Sequence, residues 1–213
     1  MIIDERYRTF LNSMETPNTP FLEDVYERAL ADKVPVIRRE TQGFIKTILA
    51  MNSPEDILEV GAGVGFSALF MAEYAPKPCH ITTIENYQKR IAAAKENIAS
   101  SCFADQITLI EGDAAMELPK LTGQYDMVFM DAAKGQYINF LPEVRRLTKK
   151  GGVIISDNVL QDGCIIDSRY IIRRRDRTIH KRMREYLYTL KRDEEFSTTI
   201  IPVGDGIALS VKL

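Results

Sequence analysis

An α/β fold on a mostly parallel sheet is predicted by three features of the chain. From residue 56 onward, short β-branched runs alternate with longer helical patterns, the order expected of βαβ units. Several of those runs are apolar on both faces, as strands covered by helices on both sides must be. A glycine-rich turn follows the first run, and the last two runs are joined across Gly204-Asp205-Gly206, which reads as a closing β-hairpin.

Two helices, 20–33 and 35–51, separated by Pro35, precede the first strand. Strands are predicted at 56–60, 80–85, 106–111, 125–130 and 152–156, with helices at 65–74, 87–100 and 136–147. Lys149, Lys150 and the pair Gly151-Gly152 end the last of these helices. Residues 176–192 carry Ile179, Met183, Tyr186, Leu187 and Leu190 as a helical stripe set among arginines. The hairpin strands fall at 198–203 and 207–212. No repeat, low-complexity tract or linker interrupts the chain, so residues 1–213 are expected to form a single domain, with N-terminal helices in 1–51 and the α/β core in 52–213.

With 213 residues, 45% of them hydrophobic, the chain can bury roughly 70% of its unfolded surface. Disordered and fibrous classes are excluded, and disulfide staples are unnecessary. The three cysteines, Cys79, Cys102 and Cys164, are odd in number and lack zinc-like spacing. They read as reduced thiols of a cytoplasmic protein. No apolar run approaches the ~18 residues of a membrane span. Residues 1–10 carry Asp4, Glu5, Arg6 and Arg8 where a signal peptide needs its apolar core.

Net charge is −2, but it is unevenly spread. Residues 169–192 hold ten Lys or Arg against Asp176 and Glu185, a net of +8 that leaves −10 for the rest. A basic segment in an otherwise acidic protein is the footprint of a surface that meets a polyanion.

The first predicted strand runs into Glu59-Val60-Gly61-Ala62-Gly63-Val64-Gly65-Phe66-Ser67. Glycine permits a sharp turn and lets a ligand press against the main chain, where helix amides point at it. A dinucleotide fingerprint needs glycine where Phe66 stands, so NAD is excluded. Glu85 ends the second strand, where an acid accepts hydrogen bonds from the ribose hydroxyls of an adenosine. Asp113, in Gly112-Asp113-Ala114 after the third strand, is placed to reach an adenine amino group. Alone, Glu85 reads equally well as a helix-capping acid. The glycine loop before it tips the balance.

The fourth strand ends at Met130-Asp131-Ala132-Ala133-Lys134 and the fifth at Ser156-Asp157-Asn158. Ligands of open parallel sheets sit beyond the carboxyl ends of the strands, which lie only ~5 Å apart. Two carboxylates and an amide carbonyl thus converge on one small volume. Hard oxygen donors suit Mg2+ or Mn2+ better than zinc. Asp131 or Asp157 alone would read as a loop acid. Lys134, beside them, is a candidate general base.

Glu59 to Ser67, Glu85 and Gly112-Asp113-Ala114 resemble the glycine motif, ribose acid and adenine turn of the Rossmann-like S-adenosylmethionine-dependent methyltransferases. The resemblance implies S-adenosyl-L-methionine as cosubstrate and a seven-stranded, mostly parallel sheet whose last strand is antiparallel. Asp131 to Lys134, with Asp157-Asn158, narrows the likeness to the metal-dependent catechol and caffeoyl-CoA O-methyltransferases over almost the whole chain. That family implies Asp131, Asp157 and Asn158 as metal ligands and Lys134, with Asp131, as catalytic. It places cosubstrate contacts at Ile37, Glu59, Gly61, Gly63, Ser67, Glu85, Asp113, Ala114 and Asp131, and implies a homodimer packed through the N-terminal helices. One departure stands out: plant and animal members often follow the first metal acid with bulky aromatic or His residues, and Ala132 and Ala133 leave that wall low.

Residues 157–163 and 173–187 together resemble the bacterial tRNA 5-hydroxyuridine methyltransferases, which make 5-methoxyuridine at the wobble position. This implies a tRNA anticodon loop as partner, with Arg173, Arg174, Arg175, Arg177 and Lys181 on its phosphates. The same chemistry on a small catechol or caffeoyl-CoA-type acceptor is the alternative. A non-catalytic RNA-binding module is a more remote one.

Overall fold

A computed structural model describes residues 4–168 and 170–213. Residues 1–3 and Arg169, part of the predicted basic segment, lie outside the described residues. Three helices come first: α1 (Glu5–Ser13), α2 (Pro20–Ala31) and α3 (Arg39–Asn52). The sequence reading misses α1, which buries none of its residues and leaves Tyr7, Phe10, Leu11 and Met14 exposed. Its start is fixed by the Asp4 side chain, which accepts the Arg6 N–H. The helix predicted at 35–51 begins instead at Arg39, because the chain is still extended at Arg38 (φ −65°, ψ 157°).

The core then alternates β1 (Asp56–Val60), α4 (Phe66–Tyr74), β2 (His80–Glu85), α5 (Gln88–Ala99), β3 (Ile107–Glu111), the short α6 (Ala114–Glu117), β4 (Tyr125–Met130), α7 (Tyr137–Leu147) and β5 (Thr148–Ser156). It closes with α8 (Arg177–Arg192), β6 (Phe196–Ile201) and β7 (Ile207–Lys212). The strands form one seven-stranded sheet in the order β3-β2-β1-β4-β5-β7-β6. All neighbours pair in parallel except β7, which is antiparallel to β5 and to β6. The predicted α/β sheet with an antiparallel last strand is therefore present.

Two strand ends and the buried face of α8 also differ, each for a physical reason. β5 already begins at Thr148, which pairs with Tyr125 before the register shifts and resumes as Met127 with Val153. The lysines and glycines read as a helix terminator are that irregularity. β6 stops at Ile201 because Pro202 cannot donate to the ladder. In α8, Ile179 is 41% exposed while His180 is buried with Met183, Leu187 and Leu190. The buried stripe thus runs one residue away from the predicted one at its start.

Period-two alternation divides the core into two layers. Ile57, Met127, Phe129, Val153 and Ile155 face α2, α3, α4 and α5. Leu58, Val60, Val128, Met130 and Ile154 face α7 and α8. Burying both sheet faces leaves the carboxyl edge of the strands as the open place for ligands. No helix among the described residues is long and apolar enough to cross a membrane.

Candidate active site

Beyond the carboxyl ends of β1, β2, β4 and β5 the backbone continues the sheet by single hydrogen bonds. Gly61 N–H donates to the Ile84 carbonyl, Gly112 N–H to that of Glu85, Asp131 N–H to that of Val60 and Asp157 N–H to that of Met130, at 2.9–3.0 Å. These bonds place Glu85, Asp131 and Asp157 along one edge, around a cleft of about 710 Å³, with Glu59 buried behind it. Ile37, Gly61, Gly63, Ser67, Glu85, Asp113, Ala114, Asp131, Lys134, Asp157 and Asn158 all line it.

In the cosubstrate half, Gly61 (φ +106°) cannot carry a side chain: a Cβ there would run into the Asp131 carbonyl. Glu85 is buried, and its carboxylate accepts N–H groups from Gly63 (2.9 Å), Asn86 (3.0 Å) and Tyr87 (2.9 Å). Glu85 does not cap α5, whose N-cap residue, Tyr87, has no side-chain cap; the Asn86 and Tyr87 amides it accepts belong to the turn before that helix. With three of about four lone-pair directions used, the carboxylate keeps one free. Asp113 caps α6 through Oδ1, which accepts the Ala115 N–H at 2.9 Å. The Ile37 carbonyl is taken by the Gln42 side-chain amide at 2.9 Å.

Glu59 is fully buried rather than lining the cleft wall. Thr83 donates its hydroxyl to Glu59 Oε2 at 2.5 Å. Its other oxygen, Oε1, has no partner among the described residues. Burial pushes this carboxyl up to about 7, against the hydroxyls of Ser67 and Thr83. An orphaned acceptor at the end of β1 fits a cationic ligand group, such as the ammonium of an amino acid.

In the other half, Lys134 Nζ donates to Asp131 Oδ1 at 2.7 Å and to Asn158 Oδ1 at 2.5 Å. Asp157 is 2% exposed, and the Asn158 N–H donates to its Oδ1 at 2.7 Å. Burial and the neighbouring Asp131 charge push the Asp157 carboxyl up to about 7, with Lys134 opposing. A divalent cation fits this set: the donors are all hard oxygens, the buried carboxyl is destabilised for want of positive charge, and one cation already bridges two of the three. Among the described residues no three His, Cys, Asp or Glu side chains gather as a ligand set, so the candidate set here is two carboxylates and the Asn158 amide.

Tyr137 was not singled out by the sequence. Fully buried, it donates its hydroxyl to the Met130 carbonyl at 2.9 Å and, alternatively, to that of Asp157 at 3.2 Å. It thereby ties the ends of β4 and β5, the strands that carry Asp131 and Asp157. The available signal was a lone tyrosine three residues beyond Lys134 at the start of a helix.

The basic segment lies outside the cleft but beside it. Arg182 donates to the Gly135 carbonyl at 3.2 Å, packing α8 on the turn that holds Lys134. Arg173 and Arg175 share Asp176 (3.0 and 3.6 Å), and Arg177 donates to the Ile172 carbonyl at 3.0 Å. Arg174 and Lys181 are exposed with no ion pair among the described residues.

Residues 13–213 match the O-methyltransferase family. The chain is 33% identical over 128 residues to a catechol O-methyltransferase of Niastella koreensis, covering 58% of each chain. It is 29% identical over 160 residues to a catechol O-methyltransferase of Mycobacterium tuberculosis, covering 74% of this chain and 73% of that one. A solved Staphylococcus aureus structure, a candidate caffeoyl-CoA O-methyltransferase, is 32% identical with a TM-score of 0.87 over 98% of both chains.

Proposed function

The chain belongs to the O-methyltransferase family, and on that premise we propose that it moves the methyl group of S-adenosylmethionine onto one of two adjacent oxygens of a catechol- or caffeoyl-CoA-type acceptor. The observation that carries this reading is the Lys134 ammonium held between Asp131 and Asn158 beside the buried Asp157. The named catechol and caffeoyl-CoA relatives support the acceptor class.

Each residue then has a task. Glu59 Oε1, orphaned in the interior, takes the cosubstrate's ammonium. Glu85 accepts a ribose hydroxyl, and Asp113 the adenine amino group. The Gly61 and Gly63 main chain lets the methionine part approach the Asp131 end. Asp131, Asp157 and Asn158 are the residues that would hold Mg2+ or Mn2+. Such a cation would supply Lewis-acid stabilisation of the acceptor oxyanion. Lys134 Nζ, once it has released a proton to solvent and stands as the neutral amine, would receive the proton of the acceptor hydroxyl. A new C–O bond forms as the S–CH3 bond breaks, and the electron pair of that bond remains on sulfur as a neutral thioether. Orientation of oxygen, carbon and sulfur in line supplies much of the acceleration.

A second acceptor is favoured by the arginine cluster packed beside Gly135: the 5-hydroxyl of a wobble uridine in a tRNA anticodon loop, giving 5-methoxyuridine. That hydroxyl also sits next to a ring carbonyl, so it offers the same adjacent oxygen pair, and a loop base is already unpaired. Homodimerisation belongs to the same proposal, supported by the exposed Tyr7, Phe10, Leu11 and Met14 of α1.

Labelled S-adenosylmethionine, Mg2+ and either catechols or tRNA lacking the modification decide between the acceptors. A catechol-type enzyme labels the small acceptor, and Arg173→Glu, Arg174→Glu and Arg175→Glu leave turnover intact. A tRNA enzyme labels 5-methoxyuridine, loses activity in that triple variant and weakens steeply with salt. Labelling of neither, with S-adenosylmethionine bound, would defeat both.

A further inference from the structure

We propose that Asp205 is a positioning residue for the cation-binding loop: from the turn between β6 and β7 it clamps residues 158–162, three of them left-handed, so that the Asn158 side-chain oxygen stays turned toward Lys134, beside Asp131. The inference rests on the reading of Asn158 as a cation ligand.

The loop after β5 needs such a clamp. Asn158, Gln161 and Asp162, none of them glycine, have φ of +57°, +50° and +52°. Side chains resist this conformation, and it persists only where the surroundings over-determine it. The surroundings here are the 204–206 turn. Val159 N–H donates to the Gly206 carbonyl at 2.9 Å and Leu160 N–H to the Asp205 carbonyl at 3.0 Å. Asp162 N–H donates to Asp205 Oδ1 in a very short hydrogen bond. Arg38, which lines the cleft beside the same turn, pairs with Asp162 at 3.3 Å and adds a second tie to the loop.

A hairpin reversal asks only for residues that tolerate the turn, and Gly204 (φ +59°) and Gly206 (φ +88°) supply them. It does not ask for a buried acid. Yet Asp205 is 8% exposed. A Cβ on Gly204 would run into Thr41 Oγ1, and one on Gly206 into Leu160. The turn is therefore pressed flush against α3 and against the loop it holds, and the carboxylate at its centre reaches inward. Ligands to a hard cation must be held rigidly by their own supports.

Titration calorimetry of the full chain with Mn2+ alone tests this. Asp205→Ala is expected to weaken Mn2+ binding at least about tenfold, to speed amide exchange across residues 158–162, and to leave affinity for S-adenosylhomocysteine near the parent value. Asp205→Asn, which keeps an acceptor for the Asp162 N–H, should restore Mn2+ binding. Parental Mn2+ affinity in Asp205→Ala, or equal loss of both ligands, overturns the proposal. Should Asp205→Ala not fold, Asp205→Ser, too short to reach Asp162, takes its place with the same outcomes. Failure of the unmodified protein to bind Mn2+ would instead defeat the cation reading itself.

Discussion

Lys134 Nζ stands 2.5 Å from Asn158 Oδ1, occupying with its own charge the gap that a divalent cation would fill. A divalent cation drawn to those same oxygens would compete with the ammonium. Lys134→Gln is expected to lower kcat by about 10²–10⁴-fold while leaving Mn2+ affinity unchanged or tighter. Steady-state kinetics and calorimetry on one preparation check both signs. A parallel loss of Mn2+ binding would make Lys134 a structural part of the metal site rather than its competitor.

The pH dependence of stability follows from two buried carboxyls. Asp157 and Glu59 are each pushed up to about 7. Between their ordinary values near 4 and about 7 the folded chain therefore keeps protons that the unfolded chain has already released. Stability falls as pH rises through that window. Thermal melts of metal-free protein should show a lower Tm at about pH 8 than at about pH 5. Mn2+ affinity should run the other way, strengthening as pH rises toward 7 because the cation requires the Asp157 carboxylate. A flat melting profile would show that neither group is held protonated.

Gly61→Ala should damage both halves of the cleft at once. The added methyl sits at φ +106° against the Asp131 carbonyl, a strain of about 1–3 kcal/mol before any clash. At ~2–4 °C per kcal/mol for a chain of this size, Tm drops measurably, and both S-adenosylhomocysteine and Mn2+ bind more weakly by calorimetry. Gly63→Ala is the control, since no atom lies within 4 Å of its would-be Cβ. Equal effects at the two positions would mean that backbone strain alone, not the Asp131 contact, matters.

Tyr137→Phe removes the hydroxyl shared between the Met130 and Asp157 carbonyls. The Met130 carbonyl keeps the Asp157 N–H, but the Asp157 carbonyl loses its hydroxyl partner, and leaving a buried acceptor unpaired costs about 1–3 kcal/mol. The expected result is weaker Mn2+ binding and a lower kcat with unchanged S-adenosylhomocysteine affinity. Unaltered Mn2+ binding in a destabilised protein would confine Tyr137 to the core.

Much of the sheet was legible because strands buried on both faces announce themselves as apolar runs, and because Gly61, Asp131 and Asp157 sit where those runs stop. What escaped was whatever depends on contacts between distant segments. The Thr83 hydroxyl reaches Glu59 across two strands, and Tyr137 serves two carbonyls at once. Asp205 looked like one residue of a turn. The exchange of Ile179 for His180 on the buried stripe was beyond reach for another reason: α8 meets the 134–136 turn as well as the sheet, so packing overrode simple periodicity.

Strand order places β1 beside β4 at the centre of the sheet, so Glu59 and Glu85 hang from strands on one side of that seam and Asp131, Asp157 and Asn158 from strands on the other. Beyond the paired strands, the Asp131 N–H donates to the Val60 carbonyl and Gly61 lies against the Asp131 carbonyl across it. On the proposed reading, changes in the loops after β5 and β6 alter which methyl recipient is accepted, while the residues on β1 and β2 proposed to grip the methyl donor stay as they are.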